Sequence, residues 1–274
     1  MNKKIFYACF SHIPISTEYP NFVNPIYLGD AVNLGTLNLN DLAPSWAPFH
    51  PILGATAGTF ALKNYLLKNR KKEEFVGICQ YRKFLSFEKI GIMADNYQSM
   101  DIVNDTDLDK NILDKVMLQP ELKMLVSKPG QFILNEKQYN YLYQYKDCHH
   151  VEDFLRFTAE LLECGILDKN QTYNFLDEKI FIPGGLELGV YPLDFWLENI
   201  ILLEKVVMSC IRKFPNVRDG YQARSWSFCM ERIGSFLVLN ELKKIYGEVE
   251  WITQGCGNLN LINADESKGY QPGK

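Results

Sequence analysis

Several common functional signatures are missing from this sequence. Its 274 residues contain no G-x-G-x-x-G, no G-x-x-x-x-G-K-[S/T] and no G-x-S-x-G. These motifs mark dinucleotide binding, P-loop nucleotide binding and α/β-hydrolase nucleophiles, so all three chemistries are disfavoured. The metalloprotease pattern H-E-x-x-H is also absent. No window of about 20 apolar residues occurs, and such a window is what a membrane-spanning helix needs.

Cysteine and basic residues are present, but not in functional patterns. The seven cysteines include no C-x-x-C pair, which indicates free thiols in a reducing cytosol and neither a disulfide framework nor a zinc knuckle. The net charge is −4 with no long basic block, so we expect no nucleic-acid partner. The opening MNKKIFYACF has too short an apolar run for a signal peptide, and we expect a cytoplasmic protein.

The composition is that of an ordinary globular protein, with 47% hydrophobic and 23% charged residues. Its first half reads as alternating strands and helices. We predict a strand over 4–10, an extended piece over 25–28 that ends at Gly29, a helix over 54–68 and a strand over 75–79. A short, continuously apolar strand after a helix is typical of a βαβ unit and a parallel sheet.

Helical patterns dominate the second half. We predict a loop and one short helix within 88–120, strands over 122–126 and 179–182, and helices over 135–146, 150–164, 170–177, 192–213 and 223–246. The predicted fold class is therefore α/β, with a mixed sheet flanked by helices and a helix-rich C-terminal half. We expect one domain, with an α/β part over about 1–130, a helical part over about 131–250 and a mobile tail over 265–274.

The stretch EFVGICQYRKFLS, residues 73–85, ends a buried strand in polar and cationic residues. Gln80, Tyr81, Arg82 and Lys83 follow the apolar run directly. In open α/β sheets ligands bind beyond the carboxyl ends of the strands, and an arginine with a lysine suits a diphosphate. A strand that runs out to a wet surface explains the same residues equally well from spacing alone.

Two other predicted strand ends carry residues of interest. His12 follows the first strand, and Pro183, Gly184 and Gly185 follow the strand over 179–182. Paired glycines let a backbone approach a ligand closely, although a plain turn accounts for them slightly better.

Two charged groups fall on or beside predicted helices. His149 and Asp153 are four residues apart, so the carboxylate could orient the imidazole, but an acidic first helical turn is the more frequent meaning. Arg224, Glu231 and Arg232 accompany a largely apolar helix, where charges are normally paired. A structural ion pair is the simpler explanation. The functional one has Glu231 as a base or sugar ligand, with an arginine on a phosphate.

In their order along the chain, these segments resemble a bacterial family of polysaccharide-biosynthesis glycosyltransferases, found in capsule and O-antigen gene clusters. The family's hallmark strand reads roughly G-L-C-H-Y-R-R-Y-F, and residues 77–84 here read G-I-C-Q-Y-R-K-F. Four further segments resemble family motifs in the same order: His12 after the first strand, P-I-Y-L-G at 25–29 for the family's P-I-x-V-G, Y-x3-H-x3-D at 145–153, and R-x6-E-R at 224–232. The resemblance covers about residues 4–246.

The resemblance implies a GT-A-like fold and a glycosyltransferase activity. The donor it implies is a nucleotide-sugar, with a UDP-sugar as the expected one, and the acceptor is a lipid-linked glycan or an oligosaccharide. We accordingly predict donor binding by His12, Gly29, Gln80, Tyr81, Arg82, Lys83, Arg224 and Arg232, catalysis by Glu231, Asp153 and His149, and an acceptor side at Pro183, Gly184 and Gly185.

Metal dependence is a separate question, because ordinary enzymes of this fold hold a divalent cation on a D-x-D pair at a strand end. Asp105-Thr106-Asp107 has the letters but lies in NDTDLDK, which is better explained as a helix N-cap with an acidic first turn. We therefore predict no metal ligand, and treat Mn²⁺ or Mg²⁺ as optional.

Two departures from the family pattern leave alternatives open. Gln80 stands where the family has histidine, and Lys83 stands where it has a second arginine. The alternative function is therefore a catalytically impaired relative that binds a nucleotide-sugar or a glycan. The basic cluster at 68–72 also suits contact with an anionic inner-membrane face, although a solvated helix end is the more frequent meaning.

Overall fold

The computed structural model describes residues 4–69, 72–95, 100–118, 123–134, 136–215 and 218–263, in which runs of strands are separated by runs of helices. The strands are β1 (Ile5–Ser11), β2 (Val23–Tyr27), β3 (Phe75–Gln80), β4 (Lys83–Ser86), β5 (Ile92–Met93), β6 (Met100–Val103), β7 (Val126–Ser127), β8 (Gly130–Leu134), β9 (Lys137–Tyr139), β10 (Ile180–Phe181), β11 (Gly189–Pro192) and β12 (Cys256–Ile262). The α-helices are α1 (Leu39–Leu42), α2 (His50–Leu53), α3 (Ala55–Asn69), α4 (Lys110–Met117), α5 (Tyr141–Cys148), α6 (Val151–Glu163), α7 (Lys169–Asp177), α8 (Leu193–Lys213), α9 (Ser225–Tyr246) and α10 (Trp251–Gly255). Short 3₁₀ turns occupy Gly29–Leu34, Ala47–Phe49, Asp105–Asp107 and Gly220–Arg224.

A mixed sheet organises the fold. Its main path runs β2-β1-β3-β4-β12-β6-β5, while β11 pairs with β3 and β7 pairs with β12. Strands β2, β1 and β3 are parallel, and β4, β11 and β12 make antiparallel pairs. The predicted fold class, a mixed sheet with helices packed around it, is confirmed.

The parallel part of the sheet follows from the apolar runs that the sequence shows. β1 and β3 lie in register from Ile5 opposite Phe75 to Phe10 opposite Gln80, so both strands end at the same edge. Ala8 and Ile78, on the face towards the helices, are fully buried. Continuous apolar strands of this kind belong in a sheet that is covered on both faces.

Several predicted elements need correction. β8 and β9 pair as antiparallel strands in the region where a helix was predicted from residue 135, and the helix begins only at Tyr141. In place of the strand predicted over 122–126 the structure has only the short strand β7, and residue 122 lies outside the described ranges. Within 88–120, β5 and β6 accompany the predicted short helix, for which Asp109 is the N-cap.

The helix-rich second half also contains strands that were not predicted. β12 returns from the C-terminal side to lie between β4 and β6, and β11 pairs with β3. Short strands of this kind acquire their pairing partners only when the chain folds, which local sequence patterns do not show. The tail predicted to be mobile lies outside the described residues. Within the ranges given above, no helix is long and apolar enough to cross a membrane.

A buried ion pair ties helix α3 to helix α8. Lys63, only 7% exposed, donates to Glu204, and the same carboxylate accepts from Trp46 Nε1 at 2.7 Å. Asn64 of α3 also donates to the carbonyl of Leu42 at 2.9 Å. These contacts fasten the proline-rich segment between β2 and α3 to the helical layer.

We expect Glu204→Gln to lower the free energy of unfolding by about 2 kcal/mol, because it leaves the Lys63 ammonium without its carboxylate. The cost stays below that of a fully buried pair, since the Glu204 side chain is 21% exposed. The matched control is Glu74→Gln, which breaks the exposed pair with Lys4 and should cost less than about 1 kcal/mol. Equal losses of unfolding free energy in Glu204→Gln and Glu74→Gln, measured by urea unfolding, would contradict this account.

Candidate functional site

The carboxyl ends of the three parallel strands meet at one edge of the sheet. β1 leads to His12, β2 leads to Gly29 and β3 leads to Tyr81. The rings of His12 and Tyr81 are 5.0 Å apart in an edge-to-face arrangement. The structure thus brings together three of the predicted donor-site positions at the place where open α/β sheets bind ligands.

The turn between β3 and β4 is held from both sides. Tyr81 N donates to the carbonyl of Phe10 at 3.0 Å, and Ile262 N donates to the carbonyl of Arg82 at 2.9 Å. The Arg82 guanidinium lies 5.6 Å from the centre of the Tyr81 ring. The side chain of Arg82 is exposed, and that of Gln80 is half-buried. The turn therefore presents a guanidinium to solvent from a fixed backbone.

Two glycines with positive φ make room for neighbouring side chains. At Gly29 (φ +57°) a Cβ atom would lie 2.7 Å from Cε1 of His50. At Gly54 (φ +53°) it would lie 2.6 Å from Nη2 of Arg224. The predicted donor-site glycine thus acts by letting His50 lie against its backbone, and Gly54 does the same for Arg224.

In the described part of the chain, the two arginines at this edge are not neutralised by ion pairs as other cations of the protein are. Within the described ranges, neither Arg82 nor Arg224 has a carboxylate within 4 Å, and Arg224 Nε is buried without a hydrogen-bond partner. By contrast, Arg218 and Lys213 both pair with carboxylates. A buried donor without a partner is costly, so this arrangement is suited to an anion.

Lys83 and two carboxylates complete the charged cluster. Burial lowers the pKa of Lys83 to about 8, with Glu231 and Glu187 opposing and Arg82 and Arg224 adding to the shift. Burial raises the pKa of Glu187 to about 7, although a hydrogen bond from Thr56 and the nearby cations oppose it. These two groups therefore titrate near neutral pH inside one electrostatic cluster.

The turn after β10 reaches the cluster through its backbone. Gly184 N donates to Glu231 Oε1 at 3.0 Å. A Cβ atom on Gly185 (φ +48°) would lie 2.8 Å from the carbonyl oxygen of Glu231, so only glycine allows this approach. Pro183 is buried. β10 itself belongs to a small antiparallel sheet with β8, not to the main sheet edge as its strand end suggested. The acceptor-side role of these three residues stays a prediction.

The other predicted residues lie in the helical half. His149 stacks on Phe228 with ring centres 4.3 Å apart. Asp153 is 4% exposed and accepts from Arg218 at 3.2 Å. Arg232, also 4% exposed, donates to Gln144 and to the Phe228 carbonyl. These contacts give each residue a packing or pairing role, and their predicted catalytic or donor-binding roles stay predictions.

Sequence reasoning missed His50, Thr56 and Glu187. His50 and Thr56 lie in or beside a proline-rich segment whose folded position no local pattern indicates. Glu187 had a usable signal, since it is a single charge in the apolar run GGLELGV. An isolated charge with apolar neighbours is usually buried and partnered. Among the described residues, no group of three or more His, Cys, Asp or Glu side chains is arranged to hold a metal ion.

We expect the pKa values of His12 and His50 to lie below 6.5, because burial and nearby positive charge disfavour the imidazolium. Arg224→Gln should raise both, since Arg224 contributes to lowering each. Histidine Cε1 proton shifts in an NMR pH titration measure this directly. Arg212→Gln, at the exposed end of α8, is the control and should change neither. If the pKa values of His12 and His50 are the same in Arg224→Gln as in the wild-type protein, the charge of Arg224 does not act on these rings.

Comparison with known proteins supports the fold. No family model matches the chain, and no curated protein matches it in sequence. The apo structure of the bifunctional glycosyltransferase WbbM is similar over 96% of this chain, with a TM-score of 0.70 and 14% identity. This chain spans 45% of that protein's length. At this identity the similarity shows the fold alone, and that fold is a GT-A-like mixed sheet flanked by helices.

Proposed function

We propose that this chain is a glycosyltransferase that moves a sugar from a nucleotide-sugar to a growing bacterial surface-polysaccharide acceptor. The expected donor is a UDP-sugar. The observation that carries the proposal is the group of Arg82, Lys83 and Arg224 at the carboxyl edge of three parallel strands. Two of these cations have no carboxylate partner in the described part of the chain. The similarity of fold to a bifunctional glycosyltransferase supports it.

The three cations suit the charge that develops on a leaving diphosphate. Guanidinium groups donate two parallel hydrogen bonds to phosphate oxygens, and the Lys83 ammonium adds a point charge. Preorganised cations stabilise such a leaving group because they need no reorganisation during the reaction. In this proposal a divalent metal such as Mn²⁺ or Mg²⁺ is optional, since the residues gathered at the strand ends are cations rather than carboxylate ligands.

Glu231 is the carboxylate best placed to act on the acceptor. Its side chain is half-buried, and the hydrogen bond from Gly184 N fixes one of its oxygens. It lies close enough to Lys83 to be the largest charge opposing the lowered pKa of that lysine. We assign to Glu231 the removal of the proton from the attacking acceptor hydroxyl. Asp153 is engaged by Arg218 and Arg156, and we assign it a structural role.

The second candidate is a relative that binds a nucleotide-sugar or glycan without turnover. Its motivation is Gln80, which replaces the imidazole of the family pattern with a group that does not titrate. Donor binding with neither transfer nor donor hydrolysis, in the presence of oligosaccharide acceptors, would favour this candidate. Gln80→His is then the variant to examine for gain of turnover.

We expect the wild-type protein to bind UDP or GDP in the presence of EDTA, and Arg82→Ala and Arg224→Ala each to weaken that binding about 10- to 100-fold. The range corresponds to the loss of one charge-assisted hydrogen-bonding group, about 1.5–3 kcal/mol. Isothermal titration calorimetry measures it, with Arg212→Ala as the exposed control. Binding that requires added manganese would contradict the direct role of these cations, and absence of binding would contradict the proposed function.

We expect Glu231→Gln to reduce sugar transfer about 10²- to 10⁴-fold while nucleotide affinity changes little, because a general base acts in the chemical step. The measurement is kcat with a radiolabelled donor panel and oligosaccharide acceptors, with nucleotide affinity in parallel. Asp153→Asn is the comparison. It should lower the melting temperature, while its kcat per folded molecule should stay close to that of the wild-type protein. Near-normal kcat in Glu231→Gln would remove it from the reaction.

A further inference from the structure

Glu187 is a buried carboxylate at the cation cluster with no role in the function proposed so far. It is 8% exposed and lies on the turn that begins at Gly184, whose carbonyl accepts from Glu187 N at 2.7 Å. Its Oε1 accepts from Thr56 Oγ1 at 2.5 Å, and Thr56 in turn lies 3.3 Å from Ser227 Oγ. The turn and the hydroxyl thus hold the carboxyl group in one place within the protein.

Charged groups face Glu187 from three separate elements. Lys83 comes from β4, Arg224 from the 3₁₀ turn Gly220–Arg224, and Glu231 from α9. Arg224 makes no ion pair within 4 Å of Glu187 in the described part of the chain. Glu187 therefore acts on Arg224 through the low-dielectric interior, as a nearby counter-charge rather than as a salt-bridge partner, and the charge of Lys83 acts on Glu187 in the same region.

The wider cluster adds positive charge and histidines. Arg82 adds to the charge around Lys83. His12 and His50 face Arg224, and Asp30 faces His50. With the histidines neutral, Arg82, Lys83 and Arg224 share this cluster with the carboxylates of Glu187 and Glu231, while Asp30 faces His50. Arrival of a diphosphate adds two or more negative charges beside carboxylates that already offset most of the positive charge, so one carboxylate becomes electrostatically unfavourable.

We propose that Glu187 is a titratable counter-ion of the diphosphate site: its carboxylate balances Lys83 and Arg224 without nucleotide and takes up a proton when a nucleoside diphosphate binds. This inference rests on the proposed function, because it needs the diphosphate to bind at these cations. Among the carboxylates, Glu187 is the one that gains the proton because it is more buried than Glu231, so its charged form is the least solvated.

The sign of the effect follows from linkage. A second anion near Glu187 raises the pKa of its carboxyl group further above its ordinary value. Binding then takes up a proton at any pH between the free and bound pKa values. By reciprocity, nucleotide affinity falls as the pH rises through the same interval. The free carboxyl group has a pKa of about 7, so the interval begins near neutral pH.

The test is proton uptake on binding, measured by titration calorimetry at pH 7.5 in HEPES, imidazole and Tris, whose ionisation enthalpies differ. The probe is UDP or GDP, whichever binds the wild-type protein. Lys83 has a pKa of about 8 and would also take up protons, so the comparison is made in a Lys83→Arg background. We expect uptake of roughly half a proton in Lys83→Arg and close to none in Lys83→Arg with Glu187→Gln.

A second readout is nucleotide affinity against pH. Between pH 6.5 and 8.5 we expect Lys83→Arg to lose about sixfold in affinity, as follows from a rise in the pKa of Glu187 from about 7 to about 8 on binding. The loss should be largely absent when Glu187→Gln is added. Titration of the nucleotide phosphate and of the two histidines is common to both proteins, so the difference between them reports Glu187.

Controls separate this role from a structural one. Glu160 is another buried carboxylate, paired with Lys213 and Ser209, and Glu160→Gln in the Lys83→Arg background should leave proton uptake unchanged. Gln at position 187 can still accept from Thr56. A loss of affinity in Glu187→Gln that is equal at every pH would overturn the proposal in favour of simple support of the site.

The outcomes also distinguish this inference from the proposed function. Nucleotide binding by Lys83→Arg without proton uptake overturns the inference and leaves the proposed function intact, and this result does not depend on whether Glu187→Gln folds. Equal proton uptake in Lys83→Arg with and without Glu187→Gln assigns the proton to another group, and this result also overturns the inference. Failure of wild-type protein to bind either nucleotide contradicts the proposed function, and the inference with it.

Discussion

The parallel pairing of β1 with β3 is the constraint on which the site depends. Its register places Phe10 opposite Gln80, so that both strands stop at the same edge and the Tyr81 amide can donate to the Phe10 carbonyl. A shift of one residue would send the side chains of β3 to the opposite face. The same shift would move the Tyr81–Arg82 turn away from His12. The burial of apolar side chains on both faces thus holds a polar turn in position.

Gathering three cations at one sheet edge is unfavourable on its own, and the structure offsets that cost with carboxylates held by backbone and hydroxyl groups. Glu231 is fixed by an amide of the glycine turn, and Glu187 is fixed by Thr56. Neither forms a close ion pair with Arg82 or Arg224 in the described part of the chain. The cations therefore keep their donors available for an incoming anion, whereas charges in the helical half, such as Lys213 with Glu160, are already satisfied.

The glycines show why the site could be only partly predicted. The sequence pattern identified Gly29 and the Gly184–Gly185 pair as positions of interest, but it gave them contact with a ligand. In the structure Gly29 accommodates His50, and Gly185 accommodates the backbone of α9. The need for a positive φ and for a missing Cβ atom was readable from the residue type. The neighbour that occupies the space comes from a distant part of the chain, so local pattern could not name it.

The sequence by itself determined the apolar strands, most helices and the ordered set of motifs around Gln80–Lys83, because these depend on side-chain periodicity and local backbone preference. It also indicated the polar ends of β1 and β3. Only the tertiary structure decided that β12 inserts between β4 and β6, that Arg224 and Glu187 join Lys83, and that Asp153 and Arg232 turn towards other partners. Those outcomes depend on contacts between residues that are far apart in the chain, 65 positions for Asp153 with Arg218 and 88 for Arg232 with Gln144. The electrostatic energies of these charged groups depend on how deeply each is buried, and a local stretch of sequence does not show burial.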